Sequence, residues 1–209
     1  MRNKLIKKSG ETLIEAIVSI TVLMMAGSIA SSMIISAIQQ SALSEDYLIA
    51  QNLAMEVVEG IKNIRDTNTM LYPDYPECWM VLDPNPDPLF DCTINPQVEQ
   101  NRWYIVNYEV NPSGYGRWLL KNTADPDTSP DEKAKYQLYL KDDGTIKRYL
   151  HIDPPAPPEA TASKFYREIK FDDTLPLPDS WVSFDVRVVW TRAGRENVFL
   201  LSKVVLTNY

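Results

Sequence analysis

The sequence predicts an α+β protein in which one long N-terminal helix, apolar in its first half and amphipathic in its second, packs on an antiparallel β-sheet head. Three observations carry that expectation. Residues 16–38 run for 23 positions without a charge. From residue 43 to 64 apolar side chains recur every three or four positions, and after residue 101 the period drops towards two.

As a helix the uncharged run is about 35 Å long, enough to cross the hydrocarbon core of a bilayer. Arg2, Lys4, Lys7 and Lys8 precede it and no basic residue interrupts it. The positive-inside rule then places the start of the chain in the cytoplasm and exports the remainder. Glu15 stands at the entrance of the run. Thr12 and Glu15 have the spacing of a capping box at a helix start. An ordinary secretory signal has a shorter apolar region and a small-x-small cleavage site, so length and Glu15 both argue against one. A plain membrane anchor leaves the acid unexplained, since a carboxylate inside an apolar span is costly and marks function by default.

Beyond the span the helix turns amphipathic. Leu43, Tyr47, Ala50, Ala54, Val57, Ile61 and Ile64 form one stripe, while Glu45, Asn52, Glu56, Glu59 and Asn63 fall on other faces. The end is expected near residues 66–68, and Gly27 and Gly60 are the positions where a bend would cost least. The organisation that follows is a short segment 1–10, a membrane helix 11–38, its amphipathic continuation 39–66, a loop region 67–101 and a sheet head 102–209.

Six prolines between residues 70 and 100 deny that stretch both helix interior and central strand. Cys78 and Cys92, the only cysteines, both lie there. In an exported head they form a disulfide whose roughly 15-residue loop is worth about 3 kcal/mol; in a reducing compartment they are two free thiols. Asp83, Asn85 and Asp87 alternate like the opening of an EF-hand, but Pro88 and Ile94 stand where that loop needs Gly and Glu. Asp125, Asp127, Asp131 and Glu132 form a second acidic stretch, read as solvated loop rather than a calcium site. No metal or cofactor is expected.

In the head, residues 102–110 form a strand closed by Asn111-Pro112-Ser113-Gly114. Residues 136–140 and 146–152 flank Asp143-Gly144 as a hairpin. Strands at 164–171, 182–191 and 197–207 follow, the last two joined through Ala193-Gly194-Arg195. Trp103, Tyr108, Trp181 and Trp190 are expected in the sheet core; Tyr72, Tyr75, Trp79 and Tyr115 are the surface candidates.

The net charge of −7 is a poor surface for nucleic acid. Any Ser-His-Asp triad would have to use the single histidine, His151, and no serine sits in a nucleophile elbow. Nor does a Gly-rich phosphate loop follow a strand. The chain is therefore expected not to be an enzyme.

The opening order of parts, Lys7-Lys8-Ser9-Gly10-Glu11-Thr12-Leu13-Ile14-Glu15 and then the apolar run, resembles the class III signal of type IV pilins and pseudopilins. The resemblance implies that a prepilin peptidase cuts between Gly10 and Glu11 and methylates the new amine. It also implies that Glu15 contacts a neighbouring subunit's terminus during assembly. The family usually has Phe at the first mature position, where this chain has Glu11, and many members carry a helix proline that is missing here. Loss of residues 1–10 would take the charge from −7 to −11. Phe165 to Ile169, Val186-x-Val-Val-Trp190 and the closing Leu206-Thr207-Asn208-Tyr209 resemble heads of V-type minor pilins. The function so implied is that of a structural subunit, a minor pilin of a type IV pilus-like filament. It would be held in the cytoplasmic membrane before assembly and lie in an extracellular pilus afterwards, with other pilin subunits and the assembly machinery as partners. The alternatives are a membrane-anchored or filament-tip binding module of adhesin type, and a pseudopilin of a secretion system.

Overall fold

The computed structural model describes residues 5–82, 98–110, 116–142, 144, 147–152, 160–172 and 181–207. It is α+β: helix α1 (Leu5–Leu71) packs on a seven-stranded sheet in which every described pairing is antiparallel. The chain divides into two units, Met1–Leu48 and Ile49–Tyr209, with α1 running through the border.

In the first unit α1 starts inside the expected segment 1–10 and passes residue 12 as helix interior. Thr12 is therefore no N-cap in the intact chain, because amides around it are already in the helical ladder rather than orphaned at a start. All side chains from 12 to 41 are exposed. Thr21, Ser28, Ser31 and Ser32 donate their hydroxyls to carbonyls three or four residues back, at 2.8–2.9 Å. The helix thus satisfies these polar atoms itself and keeps its surface apolar. Leu43 and Tyr47, expected in the buried stripe, are exposed.

In the second unit the buried stripe begins at Ala50 and runs through Leu53, Ala54, Val57, Val58, Ile61 and Ile64. It forms one core with Tyr104, Val106, Phe165, Ile169, Phe171 and Phe184 of the sheet. Each large side chain so buried is worth about 1.5–3 kcal/mol over leaving it in water. Tyr104 and Phe171 meet edge to face, ring centres 5.3 Å apart. The helix outlasts its expected end by a turn, to Leu71, and stops there because Pro73 bars Tyr72 from the helical region. Asn68, expected to break the helix, is instead buried and donates to the carbonyls of Trp79 and Val81 at 3.1 and 3.0 Å. It pins a 3-10 turn (Pro76–Met80) against the helix end. Trp79 and Tyr72 are buried in consequence, correcting their assignment to the surface; Tyr75 is exposed and Tyr115 lies outside the described residues.

The strands are β1 (Trp103–Val110), β2 (Gly116–Thr123), β3 (Gln137–Asp142), β4 (Lys147–His151), β5 (Ala160–Phe171), β6 (Trp181–Arg192) and β7 (Arg195–Thr207). Strand β5 is central and pairs along one edge with β6, which pairs with β7 through the turn at Ala193 and Gly194, both at positive φ. Its other edge is shared: β3 pairs with residues 160–166 and β1 pairs only at Ile169 and Lys170. The sheet therefore forks into a β1–β2 wing and a β3–β4 wing.

Strand β2 and a short helix α2 (Pro130–Lys135) are absent from the expectation. In β2 the adjacent Leu119 and Leu120 are both buried, which spoils the alternation by which a half-exposed strand is recognised. The acidic stretch hides a helix start: Ser129 Oγ accepts from Glu132 N, with Pro130 in the first turn. Of the four expected core aromatics Trp190 is buried, Trp103 and Trp181 are half-buried, and Tyr108 is 40% exposed.

A buried cation sits at the fork. Arg167, 1% exposed, shares the inward face of β5 with Phe165, Ile169 and Phe171. Its Nη1 donates to Glu56 Oε2 at 2.9 Å and Leu53 O at 3.4 Å, both on α1, and its Nη2 donates to Val106 O on β1 at 3.3 Å. Its backbone N–H donates to Tyr136 O, at the root of the other wing. Glu56, assigned by the pattern to an outer face, is thus a core partner. Removal of the partner of a buried charge costs about 3–5 kcal/mol, whereas loss of Arg167 leaves behind Glu56, whose side chain is 36% exposed and can be hydrated. Glu56→Ala is expected to lower stability by about 3 kcal/mol and Arg167→Met by a smaller amount. Denaturant unfolding followed by tryptophan fluorescence checks the order; a reversed order would refute it.

Candidate functional site

The segment that stands out chemically is the exposed apolar stretch of α1. Its large side chains, among them Leu13, Ile14, Ile17, Leu23, Met24 and Ile34, are each more than half exposed, and no residue of its most apolar 18-residue window is buried. That helix is long and apolar enough to cross a membrane. A stripe of this size left open to water is an interaction surface in any soluble setting.

Glu15 lies within α1 at the N-terminal border of this surface and is exposed. Gly10 and Glu11 are on the same helix, so the expected cleavage point is helical in the intact chain. At Gly27 an added Cβ would meet nothing within 4 Å, so no packing within this chain requires that glycine. Gly60 is different: a Cβ there would stand 3.1 Å from Trp118 and from Val106, and the glycine lets β1 and β2 approach the helix.

Cys78 is fully buried and disulfide-bonded; Cys92 lies outside the described residues. Asp83, Asn85, Asp87, Pro88 and Ile94 also lie outside them. Among the acids of the second stretch, Asp125 accepts the amide of Asp127, Asp127 lies 3.6 Å from Arg187 and Glu132 pairs with Lys135 at 2.7 Å. Among the described residues no group of three His, Cys, Asp or Glu side chains gathers as metal ligands.

His151 is buried opposite Leu138, and neither ring nitrogen makes a good hydrogen bond. Burial first, then the charge of Arg167, hold its pKa well below the usual histidine value, and the nearby backbone of Lys135 offsets this only in part. It is a neutral core residue. On the opposite face of the sheet Glu168 is fully buried, with Oε2 accepting from Arg187 Nε. Burial raises its pKa and Arg187 opposes the rise. The pattern signal for both charges was available, since Arg167 and Glu168 interrupt a strand flanked by Phe165 and Ile169.

Comparison with protein families, characterised proteins and solved structures returns no match for this chain.

The neutral state of His151 fixes a pH dependence. Below about pH 6.5 the unfolded chain binds a proton at this position that the folded chain does not, so stability falls as pH falls. Denaturation midpoints are expected to drop between pH 7.5 and 5, at up to about 1.4 kcal/mol per pH unit from this group. Glu168 acts in the opposite sense, because its raised pKa favours the folded state on acidification. Comparison of wild type with His151→Leu isolates the histidine; identical pH profiles would show that its proton affinity is the same folded and unfolded, and would refute the prediction.

Proposed function

We propose that the chain is a structural subunit of a type IV pilus-like filament, held in the cytoplasmic membrane by α1 until assembly. What carries the reading is one coincidence: a basic leader, Gly10 and Glu15 at pilin spacing feed directly into an apolar helix with no buried side chain in its span. Each feature alone has a plainer account. Together they are those of a helix cut at its cytoplasmic end and then packed among copies of itself.

In this reading a prepilin peptidase cuts between Gly10 and Glu11, and the amine of Glu11 becomes a cation at the membrane surface. Glu15 lies about one turn further along and deeper in lipid. An unpaired carboxylate there is unfavourable, and a neighbouring subunit's amine relieves it while fixing the axial stagger between subunits. Glu11 sits nearer water, where hydration makes its carboxylate the weaker competitor for that amine. The head is exported, its disulfide at Cys78 closes with Cys92, and the activity is structural rather than catalytic.

Mass spectrometry of the native amino terminus tests the cut, with Glu11 expected as the first residue. Gly10→Leu is expected to leave the precursor uncut in the membrane. Glu15→Ala is expected to be cut and to fold its head, yet to enter filaments far less than wild type, whereas Glu11→Phe enters at least as well. Wild-type incorporation of the Glu15→Ala protein would remove the role of that acid in register.

A further inference from the structure

Within the second unit an open groove of about 540 Å³ lies in the fork of the sheet, walled by α1, the β1–β2 hairpin and β4. That volume is in the range of small-molecule sites. Its lining includes Asn52, Glu56, Tyr108, Trp118, Arg148 and Tyr149.

The aromatic wall is held in place by two glycines. A Cβ at Gly116 would stand 1.8 Å from the Tyr108 hydroxyl, so the phenol lies across a position that only glycine leaves bare. A Cβ at Gly60 would stand 3.1 Å from Trp118 Cε3, so the indole is seated on the helix at its other bare position. The two rings meet at 5.2 Å and 63°, edge to face. Tyr149 is set edge-on to the buried Phe165 at 5.8 Å. Tyr108 is thus an exposed ring whose orientation is fixed by its neighbours. Across from it, Glu56 presents a carboxylate already clamped by buried Arg167, and Asn52 lies one turn earlier on the same helix.

The chemistry of this lining selects a class of ligand. Lys147 and Arg148 face Glu56 across one groove, with Lys147 held by Asp142 at 3.3 Å and Glu56 by Arg167 at 2.9 Å, so no strong single-sign field draws in an anion or a cation. Asn52 both donates and accepts, Glu56 accepts and Arg148 donates. A pyranose ring matches such a lining, because it carries an apolar C–H face for the aromatic wall and hydroxyls that each donate and accept. We propose that the groove is a binding site for a neutral oligosaccharide, with a sugar face stacked on Tyr108 and Trp118 and hydroxyls bonded to Asn52, Glu56 and Arg148. The proposal does not rest on the assembly reading of the apolar helix.

The test uses the full chain in lauryldimethylamine oxide micelles, a detergent without a sugar headgroup. Maltotriose, cellotriose and triacetylchitotriose are titrated in turn, with saturation-transfer NMR and tryptophan fluorescence as readouts. At least one is expected to bind saturably, with its C–H face most strongly saturated. Trp118→Ala and Gly116→Val are each expected to weaken that binding by at least about tenfold. Asn52→Ala, which leaves the aromatic wall intact, is expected to weaken it as well, and Tyr75→Ala, outside the groove, to leave it unchanged. Absence of binding by all three sugars, or binding unaltered in Trp118→Ala and Asn52→Ala, would overturn the proposal. Binding of an extended valine-rich octapeptide with none by the sugars would overturn it in favour of strand addition along β4.

Discussion

The hydrogen bonds of Arg167 are the constraint on which the second unit depends. Burial of apolar surface has no preferred direction, and a helix stripe as uniform as Ala50 to Ile64 packs almost as well after a shift along its axis. A buried guanidinium tolerates no such shift. It is acceptable only with its charge matched and its donors filled, and its partners come from α1 at Leu53 and Glu56 and from β1 at Val106. Strand β1 leaves β5 after Tyr104, so the side chain of Arg167 reaches a strand that the backbone ladder no longer holds. Its Nε has no partner, a cost that the other contacts must outweigh.

The residue next in sequence solves the same problem on the other face. Glu168 points away from α1 and is answered by Arg187, beside which Asp127 also lies. Trp103 lies beneath both Arg187 and Lys170, at 5.8 and 5.5 Å. Helix α2 joins this layer through Lys133, which pairs with Glu196 at 3.1 Å and lies over the ring of Tyr166. One strand thus carries adjacent opposite charges to two different layers. The helix layer is sealed by apolar packing and the α2 layer by ion pairs and rings.

Much of this is legible in the chain before any coordinates. The long helix, its change from apolar to amphipathic, six of the seven strands and the hairpin at Gly194 follow from periodicity and turn chemistry. Helix-period patterning could not reveal Glu56, because its partner lies 111 residues away and only a fold brings them together. Strand β2 is hidden because it buries Leu119 and Leu120 in succession, so the rule of one wet face does not apply to it. Tyr72 and Trp79 read as loop aromatics, yet Asn68 draws their loop onto the helix end. The aromatic groove was illegible for a related reason, since its two organising glycines, Gly60 and Gly116, sit in different elements and look like a helix flaw and a turn residue.

The contacts of α1 with the sheet have a mechanical meaning. Arg167 grips the helix at the carbonyl of Leu53, and Arg65, twelve residues on, donates to the carbonyl of Thr207 at 3.0 Å. The two grips are about 18 Å apart along the helix axis. A single polar anchor would act as a pivot, about which the helix could swing over a greasy sheet. Two anchors at that separation remove the swing and place the bonds in parallel under an axial pull. Tension along the helix must then shear both at once, together with the core between them, instead of unzipping the head one contact at a time.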